Sequence, residues 1–240
     1  VARIVVVTGG SKGIGRAVAE RFSKAGDDVV ITGRDENALA DTAKALGVRA
    51  IRSDVTSPDD IRSLARQVGD RVDVLVNMAG GNTDFHRPAS DDTLEGIAAA
   101  WQANLDANLL GTVLTTTALL PAIPHGGAIV NVGSIAAEYA GSSYGAAKAA
   151  VAAWTAGLSA EVGPKGVTAN TVSPGYIAET EFFNGQLSDE RIAQLIDATH
   201  NKRTAVPDDV AAIVEFLASP GARHMTGQNI HVNGGAYTTR

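Results

Sequence analysis

Ile4-Val5-Val6-Val7-Thr8-Gly9-Gly10-Ser11-Lys12-Gly13-Ile14-Gly15 is the stretch whose reading decides the fold of this chain. The β-branched run Ile4 to Val7 is apolar on both faces, as expected of a parallel strand covered by helices on either side. It breaks at Thr8-Gly9-Gly10, and from Arg16 to Lys24 apolar residues return at helical spacing through Ala17, Val18 and Phe22. Strand, glycine turn and helix therefore follow one another directly. Glycines permit unusual backbone angles and close approach of a ligand, while the free N–H groups and dipole of a helix start favour a pyrophosphate. The turn containing Gly9, Ser11, Lys12, Gly13, Ile14 and Gly15 reads as a dinucleotide cradle, spaced Gly-x-x-x-Gly-x-Gly.

Outward from this turn, Val29 to Thr32 is a second strand ending in Gly33-Arg34. An acidic residue at such a strand end bonds the adenosine ribose and repels a 2′-phosphate, and a basic residue does the reverse. Gly33 and Arg34, with Lys12 as a second positive charge, favour NADP(H) over NAD(H). Asp35, one residue on, reaches the ribose instead if the turn is tighter. Glu36 to Leu46 reads as a helix stopped by Gly47, Val48 to Arg52 as a strand, and Ser57-Pro58-Asp59-Asp60 as a helix start. Further strands are expected at 73–76, 128–132, 167–172 and 228–232, with helices at 101–120, 146–158 and 208–217. Ser90-Asp91-Asp92 should begin another helical segment, and Asn82 to Arg87 should wall a ligand crevice at the strand ends. Seven strands alternating with helices imply an α/β, doubly wound (Rossmann) seven-stranded parallel sheet, one domain over 1–240.

Composition limits the function. The 240 residues are 45% hydrophobic, enough for one large core, and carry a formal net charge of −6. With no cluster of Lys and Arg, that balance argues against nucleic-acid binding. Without cysteine there is no disulfide, thiolate metal site or cysteine nucleophile, and the five histidines lack metal-ligand spacing. No apolar run is long enough to span a bilayer, so the reading is of a cytoplasmic protein with no membrane contact.

The chemistry is expected at Tyr144-Gly145-Ala146-Ala147-Lys148. An i, i+4 spacing sets phenol and ammonium on one helix face, and a neighbouring cation favours the phenolate, lowering the tyrosine pKa toward the range of proton transfer. Ser142 or Ser143 can cap that helix.

The Thr-Gly-x-x-x-Gly-Ile-Gly turn and the Tyr-x-x-x-Lys pair resemble the short-chain dehydrogenase/reductase family, over essentially the whole chain. The closing Thr226-Gly227-Gln228 and Gly234-Gly235 make it most similar to 3-oxoacyl-carrier-protein reductases and related ketoreductases. The resemblance implies a catalytic set of Ser134, Tyr144, Lys148 and Asn108. Asn108, in Asn108-Leu109-Leu110-Gly111, is implied to hold a proton-relaying water, with Asn104 as the competing candidate. By the same resemblance Asp54, followed by Val55, meets the adenine. Asn77, Ala79 and Gly80 form a turn along the cofactor, where Met78 departs from the usual asparagine. Pro174, Gly175, Ile177 and Thr180 then lie beside the nicotinamide, Thr180 about one residue late. The segment at about 176–206, with Phe182, Phe183, Leu187, Leu195 and Ile196, is expected to be a substrate lid of one or two helices. The resemblance implies a homo-oligomer, a tetramer by family pattern, along the 101–120 and 144–158 helices. The implied activity interconverts a ketone, such as a 3-oxoacyl thioester, and a secondary alcohol. NAD-dependent secondary-alcohol, sugar or polycyclic-ketone dehydrogenation and a non-catalytic dinucleotide sensor are the alternatives.

Overall fold

The computed structural model describes residues 2–86, 92–139, 141–183 and 185–239. In chain order its main elements are β1 (Ile4–Thr8), α1 (Gly13–Lys24), β2 (Asp28–Gly33), α2 (Glu36–Leu46), β3 (Arg49–Arg52), α3 (Pro58–Val68) and β4 (Val74–Asn77). A 3-10 turn at Thr83–His86 precedes α4 (Leu94–Asn104), a π-helical segment (Leu105–Leu110) and α5 (Gly111–Leu119). There follow β5 (Ala128–Val132), the short α6 (Ala136–Tyr139), α7 (Ser143–Val162), β6 (Thr168–Pro174), α8 (Asp189–Asp197), α9 (Pro207–Leu217) and β7 (Asn229–Val232).

All seven strands pair in parallel in the order β3-β2-β1-β4-β5-β6-β7. The Rossmann reading is therefore correct. Because side chains alternate across a strand, β1 feeds two cores. Val5 and Val7 pack with Val18, Phe22 and Val214 on one face, while Val6 joins Leu64, Leu75 and Leu119 on the other. The order reverses between β1 and β4, and there the carboxyl ends of the strands open a crevice. Thr8 and Asn77, last residues of those two strands, flank it as register partners.

Two expected elements need correction. The helix forecast at 101–120 starts at Leu94, where the Thr93 hydroxyl accepts the Gly96 N–H at 3.0 Å, and it is not uniformly α-helical. The Asn108 side-chain amide donates to Asn104 O at 3.0 Å. In a regular helix the Asn108 backbone N–H takes that carbonyl, so the side chain displaces the ladder and the turn widens to a π-segment. The helix of the glycine turn begins at Gly13 rather than Arg16, placing its open end inside the turn. Among the described residues between Tyr176 and Val206 there is one helix, α8, and the isolated Ile177–Ala205 bridge pairs the two ends of the segment. Ser90, Asp91 and Arg87 lie outside the described residues, and with them the expected helix start and one end of the crevice wall.

Candidate active site

The glycine turn has the geometry of a cradle. Gly9 sits at φ 65°, and a Cβ there would come within 2.9 Å of Ala79 Cα, so β1 and the β4 turn meet backbone to backbone. The Thr8 hydroxyl fixes that meeting by accepting the Met78 and Ala79 N–H groups, both at 3.0 Å. At Gly15 a Cβ would lie 2.2 Å from Gly9 O, so only glycine lets α1 turn so tightly out of the strand. The first turn of α1 carries no acidic residue and no side-chain cap. By contrast α2, α3, α4, α7 and α8 are each capped by a side-chain oxygen. The N–H groups and positive dipole end of α1 are thus left for an anion, and a dinucleotide pyrophosphate fits them. Ser11 and Ile14 belong to this turn, with Ser11 O accepting the Thr42 hydroxyl at 2.8 Å. Across it, Thr180 lies with its methyl carbon 3.6 Å from a Cβ position on Gly13, so its late place in the sequence does not remove it from the crevice.

At the end of β2, Gly33 faces Ser11 and the exposed Arg34 makes no hydrogen bond among the described residues. Asp35 is committed elsewhere: its Oδ1 caps α2 through the Ala38 N–H at 3.1 Å, and its Oδ2 lies 3.7 Å from Lys12 Nζ. The expectation that Lys12 stands as a spare positive charge needs qualifying, because it also pairs with Glu181 at 3.1 Å. Asp54 accepts both the N–H and hydroxyl of Thr56 at 2.9 and 2.8 Å. Partial burial opposes its ionisation, but these bonds and the nearby Arg34 and Arg52 hold its carboxyl below the usual range. Val55 beside it packs against Gly111, where a Cβ would come within 2.7 Å of Val55 Cγ2.

Ser134, Tyr144 and Lys148 converge at the end of β5. Lys148 Nζ donates to Val132 O at 2.9 Å and lies 5.8 Å from the Tyr144 ring centroid. The Ser134 hydroxyl faces the phenol and favours its ionised form. Two backbone bonds, Gly133 N–H to Val172 O and Ile135 N–H to Pro174 O, and one from the Ala136 N–H to Ser134 Oγ hold this corner. The Pro174-Gly175 turn is thereby tied to Ser134, and Gly175 is tied to β7 by its N–H to Val232 O at 3.0 Å. Ile177 is buried just beyond. Of the two candidate caps, Ser142 caps α7 through the Gly145 N–H at 3.0 Å. Ser143 instead joins a buried relay, receiving Asn104 Nδ2 at 2.8 Å and donating to Asp84 Oδ2 at 3.0 Å.

The expected acidification of Tyr144 does not occur. Burial pushes the phenol up to about 12, the Ser134 interaction offsetting only part of it, and burial brings the Lys148 ammonium down to about 8. Desolvation disfavours the charged form of each and outweighs the attraction expected from the helix spacing. The phenol is consequently held neutral at neutral pH.

Asn108 is fully buried, and its side chain is bonded to two backbone segments. Its amide donates to Gly81 O and Asn104 O, both at 3.0 Å, and its Oδ1 accepts the Gly81 N–H at 3.1 Å. The side chain thus grips the loop that follows Gly80, where a Cβ would lie 2.5 Å from Asn108 Oδ1. Asn77 runs a parallel brace, donating to Thr116 Oγ1 and Asn131 Oδ1, each at 2.8 Å.

Sequence reasoning missed Phe85. Its ring lies 5.7 Å from both Phe182 and Phe183, and Phe182 in turn lies 5.6 Å from Tyr144. A lone aromatic in a polar loop was the available signal, but its partners are about a hundred residues away. Among the described residues no group of His, Asp and Glu is placed to hold a metal, and no helix is long and apolar enough to cross a membrane.

Comparison with known proteins fits this geometry. The family described as Enoyl-(Acyl carrier protein) reductase matches residues 9–237, which include the glycine turn, the Tyr144–Lys148 pair and the closing glycines. The chain belongs to the short-chain dehydrogenase/reductase family. Within that family it is 34% identical to 3-oxoacyl-(acyl-carrier-protein) reductase FabG of Vibrio harveyi, over 98% of this chain and 97% of that protein. The crystal structure of a short-chain dehydrogenase/reductase described as glucose/ribitol dehydrogenase, from Brucella melitensis, superposes with a TM-score of 0.88 at 35% identity, covering 99% of this chain and 97% of that one. A short-chain dehydrogenase from Burkholderia cenocepacia, solved in complex with NADP, gives 0.83 at 32% identity, covering 98% and 97%. As a short-chain dehydrogenase/reductase the chain is an oxidoreductase by family, with the tyrosine-lysine pair at the strand ends where the fold binds its ligands.

Proposed function

We propose that this protein is an NADP(H)-dependent oxidoreductase interconverting a ketone and a secondary alcohol, with Tyr144 as general acid in the reducing direction. The observation that carries this reading is the buried corner in which Ser134 faces the Tyr144 phenol and Lys148 lies one helical turn on. Hydride for the carbonyl carbon is the chemistry that a bound nicotinamide dinucleotide supplies. Ser134 orients the carbonyl oxygen, and Tyr144 gives that oxygen its proton as the C–O π bond is lost. The Lys148 ammonium stabilises the phenolate left behind, and Asn108 keeps the Gly81 loop and α4 in the register that frames the site. Gly9, Ser11, Gly13, Ile14 and Gly15 are the residues for the pyrophosphate, and Asp54 with Val55 for the adenine. Asn77, Ala79 and Gly80 line the middle of the path, and Pro174, Gly175, Ile177 and Thr180 the nicotinamide end. Preference for NADP(H) rests on Gly33 and the unpaired, exposed Arg34, on Lys12 beside them, and on Asp35 being spent as the α2 cap. The relative with bound NADP supports the same choice.

Residues 176–206 act as the substrate lid. A homo-oligomer, a tetramer by family pattern, is supported by Leu94, Ile97, Trp101 and Leu110, apolar yet exposed along α4 and the π-segment. A cysteine-free chain is at home in the cytoplasm.

The test is a fluorescence titration with NADPH and NADH followed by a ketone panel, on the wild type and Tyr144→Phe. Expected are tighter binding of NADPH, oxidation of it by at least one ketone, and loss of turnover by about three orders of magnitude in Tyr144→Phe with NADPH binding within a few-fold. Normal turnover by Tyr144→Phe overturns the mechanism. Binding without turnover of any ketone or alcohol favours the sensor.

A further inference from the structure

The chain is poor in aromatic residues, yet three of its five phenylalanines and two of its four tyrosines gather at one place. Phe182 is the hub. Its ring centroid lies 5.6 Å from Tyr144, 5.7 Å from Phe85 and 4.9 Å from Phe183, and Phe183 lies 5.9 Å from Tyr176. The rings come from three separate segments, the turn after β4, the start of α7 and the chain after β6. The contact between the first and last is also tied by main chain, Gln186 Nε2 donating to Phe85 O at 3.0 Å. These rings meet edge to face or tilted, the arrangements in which aromatic groups attract. Phe182 is thus the ring packed directly on the Tyr144 ring, with Phe85 behind it.

Charge around this cluster points the same way. Residues 176–206 carry Glu179, Glu181, Asp189, Glu190 and Asp197 against Arg191, Lys202 and Arg203, and all eight side chains are on exposed positions. Among the described residues Lys202 pairs with Asp197 at 3.0 Å, Arg203 with Asp209 at 2.8 Å and Glu181 with Lys12 at 3.1 Å, which leaves Glu179, Asp189 and Glu190 against Arg191. A thioester borne by coenzyme A or by an acidic carrier protein is a polyanion, and an acidic rim slows its approach and weakens its docking.

Building on the assignment of Tyr144 as proton donor, we infer that the substrate is a small uncharged ketone whose carbonyl adjoins a planar apolar ring, with Phe182 as the residue that selects it. The ring lies against Phe182 and Phe85, keeping the contacts these side chains already make, while the carbonyl oxygen reaches Ser134 and Tyr144.

The test compares 1-tetralone with acetoacetyl-coenzyme A as NADPH-dependent substrates of the wild type, Phe182→Leu and Phe182→Ala, with melting curves to show that each variant is folded. Expected is a kcat/KM for 1-tetralone at least tenfold above that for the thioester. Phe182→Leu, which keeps apolar volume but loses the flat ring, should raise the tetralone KM about tenfold with little change in kcat. Added salt should lower the KM of acetoacetyl-coenzyme A by screening the rim and leave that of tetralone unchanged. A preference for the thioester that Tyr144→Phe abolishes overturns the ring-ketone assignment and leaves the reductase intact. An unchanged tetralone KM in folded Phe182→Leu and Phe182→Ala also overturns it. Turnover of neither compound by protein that binds NADPH overturns the ring-ketone assignment, and the reductase reading falls with it only if no ketone of the panel is turned over.

Discussion

At Lys148 two demands conflict. The side chain is buried, which disfavours the ammonium, but the site needs a cation beside Tyr144 once the phenol has given up its proton. Its pKa falls from 10.5 to about 8, which corresponds to roughly 3 kcal/mol of strain on the charged form. The sign follows from proton counting. Below pH 8 the lysine is charged in both folded and unfolded chains, so the full penalty is felt. Between about pH 8 and 10.5 the unfolded chain binds the proton and the folded one does not, so stability contributed by this residue rises with pH. Lys148→Met, which removes the buried charge and sacrifices the bond to Val132 O, is expected to melt above the wild type at pH 7 and to lose that advantage by pH 10. Melting curves across that range check it, and a constant gap would mean that the ammonium is well solvated. The same variant should have no measurable ketone turnover, so stability and function separate at one position.

Among elements, the π-segment shapes the site most. It exists because Asn108 takes the carbonyl of Asn104 with its side chain, and that same side chain closes two bonds on Gly81. Asn104, one turn earlier, holds Thr83 N–H at 3.1 Å and reaches Ser143 at the start of α7. One irregular turn therefore ties the loop after β4 to the helix that carries Tyr144. Replacing Asn108 by Ala leaves the part-buried Gly81 N–H and carbonyl without these partners, at a cost of about 1 to 3 kcal/mol in stability. Turnover should fall by at least tenfold, chiefly in kcat. Asn108→Asp, which can still accept the Gly81 N–H but cannot donate to its carbonyl, should fall between, and steady-state kinetics with denaturation curves on the pair would test the ordering.

For the whole molecule, the distribution of apolar surface is informative. Leu94, Ile97 and Trp101 fall on one face of α4 at i, i+3 and i+7, and Trp101 is 45% exposed even though Ala100 and Asn104 beside it are buried. A tryptophan left in water on a helix of an α/β domain supports the proposal that this surface meets another chain. Trp101→Glu should shift the sedimentation coefficient to that of a smaller species while cofactor binding by each subunit remains. An unchanged coefficient would place the interface elsewhere.

The sequence by itself determined the order of elements, because it depends on local signals. A β-branched run, a glycine turn and helical periodicity follow each other at β1 and α1, and Ser57 and Gly47 mark helix ends by rules that involve only a few neighbouring residues. The Tyr144–Lys148 pairing was equally legible, since one helical turn brings those side chains to the same face. Tertiary structure alone decided how the pair is tuned, because desolvation depends on everything packed around it and here exceeds the attraction that the spacing suggests. It alone brought Phe85 to Phe182 and Asn104 to Ser143, contacts between segments far apart in the chain whose meeting is set by the β-sheet order. No local pattern carries that information, because the partners share a site only after the chain has crossed from β4 to β5 and β6.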